Sequence, residues 1–247
     1  MKKRALSLLM AFVMVIGLLP ATTRAADQNG DISVGTAAEL AALGGKDIVG
    51  NITLTADIDM SETAMTPIKS LKGCFNGDSK TISRLTLKGG SGSSKYDSEA
   101  GEYVTTYVNT GLIGELNGSV INLKLNSVSI TDLGQYNNVG ALVGMLAESS
   151  TGKIANCTVS GEVTCTGGGS YTLMGGLVGS VSGVSGSSAS LTIENCVSAV
   201  KMTGGANVVG GLIGSTSGYS DITVRNTAVL GDVSASGNSG YSGGLAG

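Results

Sequence analysis

A short glycine-framed apolar string returns five times along this chain: GLIG ending at Gly114, ALVG at Gly144, GLVG at Gly179, GLIG at Gly214 and GLAG at Gly247. The closing glycines are 30, 35, 35 and 33 residues apart. Recurrence at a period of roughly 20 to 50 residues is the mark of a repeat architecture, in which each unit covers the apolar face of its neighbour. The string holds no acid, base or nucleophile, so it is read as construction material.

Each full copy is followed by a second element: VINLKL (120–125), KIANCTV (153–159), TIENCV (192–197) and TVRNTAV (223–229). These share an asparagine, at Asn122, Asn156, Asn195 and Asn226. A third apolar piece comes next: Val128-Ser129-Ile130, Val163-Thr164-Cys165, Val200-Lys201-Met202 and Val233-Ser234-Ala235. Val, Ile and Thr bounded by Gly, Asn and Ser are the chemistry of short strands and turns. Three strands recurring in one order are satisfied most simply by parallel pairing, each with its equivalent in the next repeat, at roughly 4.8 Å per layer. The expectation is an all-β fold, a right-handed parallel β-helix, the hand following from parallel crossover connections. A propeller is the competitor, but its blades need four antiparallel strands and only three are counted here.

The ends are read separately. Lys2, Lys3 and Arg4 precede an apolar run to Leu19, with Pro20 and a small-residue cleavage pattern after it, so residues 1–26 are expected to be a secretory signal peptide. Residues 27–50 are expected to cap the solenoid. There TAAELAAL (36–43) has Thr36 and Glu39 at capping-box spacing and Leu40 and Leu43 on one face. Residues 51–247 would form the β-helix, continuing past Gly247 in the natural context. No second long apolar segment follows the signal, so no membrane span is expected in the mature chain. The signal carries four of 15 basic residues and none of 18 acidic ones, so its removal leaves 11 − 18 = −7. An acidic chain without a basic patch is not a nucleic-acid binder. With no histidine, the ordinary triads and His-based zinc sites are excluded, and no metal or cofactor is expected.

The five strings, the helix-like TAAELAAL, LTADIDM and the CFNGDSKTISRLTL segment resemble the GLUG-motif repeat proteins, over about residues 32–247. The resemblance implies a bacterial exported, adhesin-like surface protein, with glycans or host-matrix proteins as partners. The same repeats precede the protease domain of IgA-specific metallopeptidases, so a non-catalytic leader of a larger secreted enzyme is the alternative. A polysaccharide-active enzyme is disfavoured, because no Asp, Arg or Lys cluster recurs at one repeat position.

Candidate residues are weighed accordingly. Asn122, Asn156, Asn195 and Asn226 are expected at tight corners in the left-handed region, forming a hydrogen-bonded ladder. Gly114, Gly144, Gly179, Gly214 and Gly247 are expected where the chain bends tightly or a neighbouring layer leaves no room for Cβ, within a string read as one strand. Asn156-Cys157-Thr158 matches a glycosylation acceptor, made a poor one by an expected burial of Asn156. Cys157 and Cys196 occupy one repeat position and are read as buried free thiols. Cys165 is aligned with Ile130, Met202 and Ala235. Tyr107, Tyr136, Tyr171 and Tyr241 precede the glycine strings, either as an exposed strip for sugars or as shields of the corner, the latter being favoured. The insertion 88–110 carries Lys95, Tyr96, Asp97, Glu99, Glu102 and Tyr103 and is either a functional loop on a rigid scaffold or, as its Gly and Ser favour, a mobile spacer. Asp57 and Asp59 are paired carboxylates without a basic partner nearby in sequence.

Overall fold

The structure, a computed structural model, describes residues 30–132, 134–165, 171–235 and 240–247. The signal peptide expected over residues 1–26 lies outside them. Among the described residues the chain is almost entirely strand, with one short helix at Ala37–Ala41. The strands fall into four mainly successive parallel sheets and one separate hairpin, and no sheet closes on itself.

Sheet I has seven strands: Ile32–Val34, Ile52–Leu54, Cys74–Asn76, Ser119–Ile121, Thr151–Ala155, Ala189–Glu194 and Ser220–Arg225. Sheet II has six: Asp47–Ile48, Ile68–Leu71, Ile113–Leu116, Val143–Leu146, Val178–Val181 and Ile213–Thr216. Sheet III has five: Val108–Thr110, Asn137–Gly140, Leu173–Gly175, Val208–Gly210 and Tyr241–Gly243. Sheet IV has eight, its central members being Lys124–Asp132, Thr158–Cys165 and Val197–Gly204. From Val108 onward the chain visits sheets III, II, I and IV in turn and then repeats.

All pairings within these four sheets are parallel, and equivalent residues of successive repeats lie in register. In sheet I, Ile52, Phe75, Val120, Ile154, Ile193 and Val224 form one continuous column. In sheet II, Ile68, Ile113, Val143, Val178 and Ile213 form another. The alternation in sequence makes this possible: in Ala189–Glu194 the residues Ala189, Leu191 and Ile193 are buried, with Ser190, Thr192 and Glu194 between them more accessible. Phe75 is the largest fully buried side chain.

Two expectations are corrected. Each repeat holds four strands rather than three, because the glycine string is a corner: Asn137–Gly140 ends in sheet III, Ala141 and Leu142 turn, and Val143–Leu146 runs in sheet II. The turning residue Leu142 and its counterparts Leu112, Leu177 and Leu212 are fully buried. Four strands per repeat remove the counting argument against a propeller, and parallel pairing between repeats replaces it. Within the segment 27–50, expected to cap the solenoid with a short helix, Ile32–Val34 pairs with Ile52–Leu54 and Asp47–Ile48 with Ile68–Leu71. Finally, Cys165 aligns with Ala235, through Gly204, but not with Ile130 and Met202. Its register partners are Asp132 and Gly204, while Val163 pairs with Ile130 and Met202, two residues off the sequence alignment.

The helix Ala37–Ala41 carries the reciprocal cap read from sequence. Glu39 N donates to Thr36 Oγ1 at 3.2 Å, and Thr36 N donates back to Glu39 Oε2 at 3.1 Å. Leu40 and Leu43 are buried in the core.

Candidate functional site

The recurring asparagines stand at corners between sheets I and IV. Asn122, Asn156, Asn195 and Asn226 have φ of 54°, 55°, 54° and 47°, the left-handed region in which Asn is among the least strained residues. Each side-chain amide donates to the asparagine one repeat earlier: Asn156 to Asn122 at 3.0 Å, Asn195 to Asn156 at 3.2 Å and Asn226 to Asn195 at 3.3 Å. The row extends one residue further than sequence reading placed it, since Asn122 donates to Asn76 Oδ1 at 3.2 Å. Asn76 was missed because it lies outside the glycine-string repeats. Asn156 is exposed rather than buried, which corrects the reason given against its glycosylation; its amide is instead engaged in the row.

The repeat glycines stack in two facing columns. A Cβ on Gly144 would lie 2.7 Å from Thr110 N and 2.8 Å from Gly114 O, and one on Gly179 would lie 2.5 Å from Gly144 O. The opposing column belongs to sheet III: a Cβ on Gly140 would meet Gly179 N at 2.6 Å, on Gly175 Gly214 N at 2.6 Å, and on Gly210 Gly247 N at 2.8 Å. None of Gly114, Gly144, Gly179, Gly214 or Gly247 has a positive φ, so backbone approach between sheets II and III is the reason for glycine. The residue in register with Gly114 one layer earlier is exposed Lys69, beside which sheet III has not yet begun.

Cys157 and Cys196 stack in adjacent layers, fully buried and free. Each sulfur lies 3.2 Å from the carbonyl two residues before it, Ala155 and Glu194 respectively. The hydrogen bond shared with Cys196, together with burial, pushes the Cys157 thiol far above the ordinary thiol range. Asp59 does have a basic partner, Arg84, which pairs with both of its oxygens from the next layer. That pairing lowers the Asp59 pKa to about 2. Asp57 instead accepts from Thr81 N at 2.7 Å. Among the described residues no group of three or more His, Cys, Asp or Glu could hold a metal ion, and no helix is long and apolar enough to cross a membrane.

Three of the four candidate tyrosines form a row. Tyr107 meets Tyr136 edge-on at 6.0 Å between centroids, and Tyr136 stacks on Tyr171 at 5.1 Å with an interplanar angle of 8°. Tyr136 and Tyr171 both adopt left-handed backbone, at φ 55° and 65°. Tyr241 is not in this row. It pairs with Val208, which pairs with Leu173, whereas Tyr171 stands two residues before Leu173; the position in register with Tyr171 is buried Ala206. Tyr136 and Tyr171 turn ring faces toward one another, while Tyr107 and Tyr171 remain 43% and 55% exposed.

The insertion 88–110 is not a formless spacer. Ser93–Asp97 and Glu102–Thr106 pair as an antiparallel hairpin, closed by Asp97 Oδ1 accepting from Glu99 N and Ala100 N, with Gly101 at φ +73°. Its base is held to the tyrosine corner: Gly92 N donates to Gln135 O at 2.9 Å, Val108 N to Tyr136 O at 3.0 Å, and buried Asn137 Nδ2 to Gly90 O at 3.0 Å. Tyr96 and Tyr103, opposite one another on the hairpin, are 59% and 72% exposed. Both tyrosines are visible in the sequence of the insertion, but their pairing is not, because the surrounding Gly and Ser obscure a turn built by Asp97 and Gly101. A shallow concavity of about 590 Å³ is lined by the hairpin itself, with Lys95, Asp97 and Glu99 among its walls.

No known family description matches the sequence, and no curated protein matches it. A solved structure named "putative immunoglobulin A1 protease from Bacteroides ovatus" is similar at 16% identity and a TM-score of 0.39, over 87% of this chain and 83% of that one. A likeness this remote carries no argument about activity.

Proposed function

We propose that the chain is a non-catalytic repeat scaffold, exported or held at the cell surface, built as a right-handed parallel β-helix of GLUG-type repeats. Its adhesive role would be to present loops to glycans or host-matrix proteins. The observation that carries the reading is the in-register parallel pairing of equivalent strands across successive repeats in all four sheets. Such stacking gives a rigid body that grows by one layer per repeat, and its right hand follows the rule for parallel crossovers. Apolar interior columns leave polar variety to the connections, where binding residues collect on rigid scaffolds. The closing string GLAG and the basic-apolar leader 1–26 support the family and export parts of the reading.

The test is to display the purified chain 27–247 on glycan and matrix-protein panels and to locate the native protein by protease shaving of intact cells. Binding on either panel with surface accessibility is expected. Silence on both panels would reduce the role to a spacer, and a protease-protected intracellular protein would overturn the reading.

A further inference from the structure

We propose that the tyrosine-bearing face of the hairpin 93–106 binds an uncharged glycan chain, an assignment that rests on the surface-scaffold reading above. The hairpin is a two-stranded sheet with no further strand on either edge, and every residue from 95 to 106 is exposed. Isolated hairpins are marginal in water, and a cross-strand aromatic pair supports this one near its turn, yet both rings also stay widely exposed.

The two faces of the hairpin differ in chemistry. Alternation along the strands puts Tyr96 opposite Tyr103 and Ser94 opposite Thr105 on one face. Lys95 opposite Val104, Asp97 opposite Glu102, and Ser93 opposite Thr106 belong to the other. All of the strand charge therefore lies on one side. The tyrosine side offers ring surface and hydroxyls only, with Ser94 Oγ and Thr105 Oγ1 2.9 Å apart. Ring faces accept the apolar C–H patches of a sugar, and the hydroxyls exchange hydrogen bonds with its OH groups. A polyanion meets no cation there, and Asp97, Glu99 and Glu102 nearby repel it.

Ring geometry narrows the ligand further. Tyr96 and Tyr103 meet edge-to-face, with centroids 5.2 Å apart and planes inclined at 63°. A flat crystalline polysaccharide surface requires coplanar rings. Two inclined rings instead form an open angle that accepts a single soluble chain in which neighbouring sugars are turned relative to one another. The corner row offers less, since Tyr136 and Tyr171 each give one face to the other and its end rings Tyr107 and Tyr171 are 43% and 55% exposed, below both hairpin rings.

The experiment measures binding of the chain 27–247 to an array of neutral glucans, mannans and galactans, with heparin as the polyanion and a matrix-protein panel alongside. Wild type is expected to bind a neutral glycan at affinity unchanged by salt. The pair Tyr96→Ala and Tyr103→Ala should weaken it about tenfold or more. Tyr96→Phe with Tyr103→Phe, which keeps the rings and the hairpin, should retain most of the binding. Lys95→Ala with Glu102→Gln, on the opposite face, should bind as wild type. Neutral-glycan binding unaffected by the alanine pair would overturn the site while leaving the scaffold reading intact. Binding confined to heparin and abolished by salt, or to matrix proteins alone, would overturn the ligand class. Silence on every panel would remove both the site and the adhesive role. Loss in the alanine pair together with full loss in the phenylalanine pair would replace ring stacking by hydroxyl recognition, contrary to the proposal.

Discussion

The asparagine at each corner performs two separable tasks: it tolerates φ near 55° and its side chain hydrogen-bonds the asparagines of neighbouring repeats, its amide donating to the repeat before. Asn156→Ala loses both, at a cost of roughly 1–2 kcal/mol for the backbone and about 0.5–1.5 kcal/mol for each of two hydrogen bonds, to Asn122 and from Asn195, both reduced by exposure. Asn156→Gly relieves the backbone and loses only the two rungs. Urea midpoints are therefore expected in the order wild type, then Gly, then Ala; equal midpoints for Gly and Ala would show that φ is immaterial. At Asp59 the folded pKa is depressed to about 2 by Arg84. A depressed carboxylate contributes stability that is complete above its unfolded value of roughly 3.9 and is lost as pH falls toward about 2. NMR titration of the Asp59 carboxyl should give a midpoint near 2, rising toward the ordinary value in Arg84→Ala. The corner asparagines and the capping box were legible in sequence because their chemistry is local. The Asp59 partner was not, because Arg84 reaches it only by lying one layer away.

At the scale of elements, the glycine string is a hinge-free corner where two sheets touch backbone to backbone. Gly179→Ala forces a methyl to within 2.5 Å of the Gly144 carbonyl, and backbone on both sides cannot step aside. A loss of about 1–3 kcal/mol is expected from such overpacking, read as a lowered urea midpoint. The equivalent site in the layer before sheet III begins, Lys69, should accept Lys69→Ala with a change within about 0.5 kcal/mol, since its ion pair with Asp47 is exposed. Equal sensitivity at the two positions would refute sheet contact as the reason for glycine. The string itself was conspicuous in sequence, but its division between two strands was not. Gly-Gly-Leu-Val-Gly satisfies a single short strand as readily as a corner, and only the facing sheet distinguishes them.

At the scale of the whole molecule, stability should be a sum over neighbouring layers, because each repeat pairs only with the ones before and after it. Deleting residues 140–174 joins Val139 to Gly175. This reproduces the Met174–Gly175 junction, since Val139 and Met174 occupy the same register position. Circular dichroism of this variant is expected to retain the β spectrum with cooperative unfolding. Deleting residues 140–156 instead would offset every downstream column and abolish the fold. Survival of both deletions would argue that register is not the organising constraint.

Period, strand chemistry, corner asparagines and the helix cap were determined by the sequence alone, because each depends on residues within a few positions of one another or on their simple recurrence. The fourth strand, the placing of Cys165 and Tyr241 two residues off their apparent alignment, the Asp59–Arg84 pair and the hairpin with its uncharged tyrosine face were decided by the tertiary structure. Each of these depends on which residues of different layers come to rest side by side. Loop lengths between repeats vary, so equal spacing along the chain does not translate into equal height in the stack; pairing between backbones sets that height, and the side chains follow it.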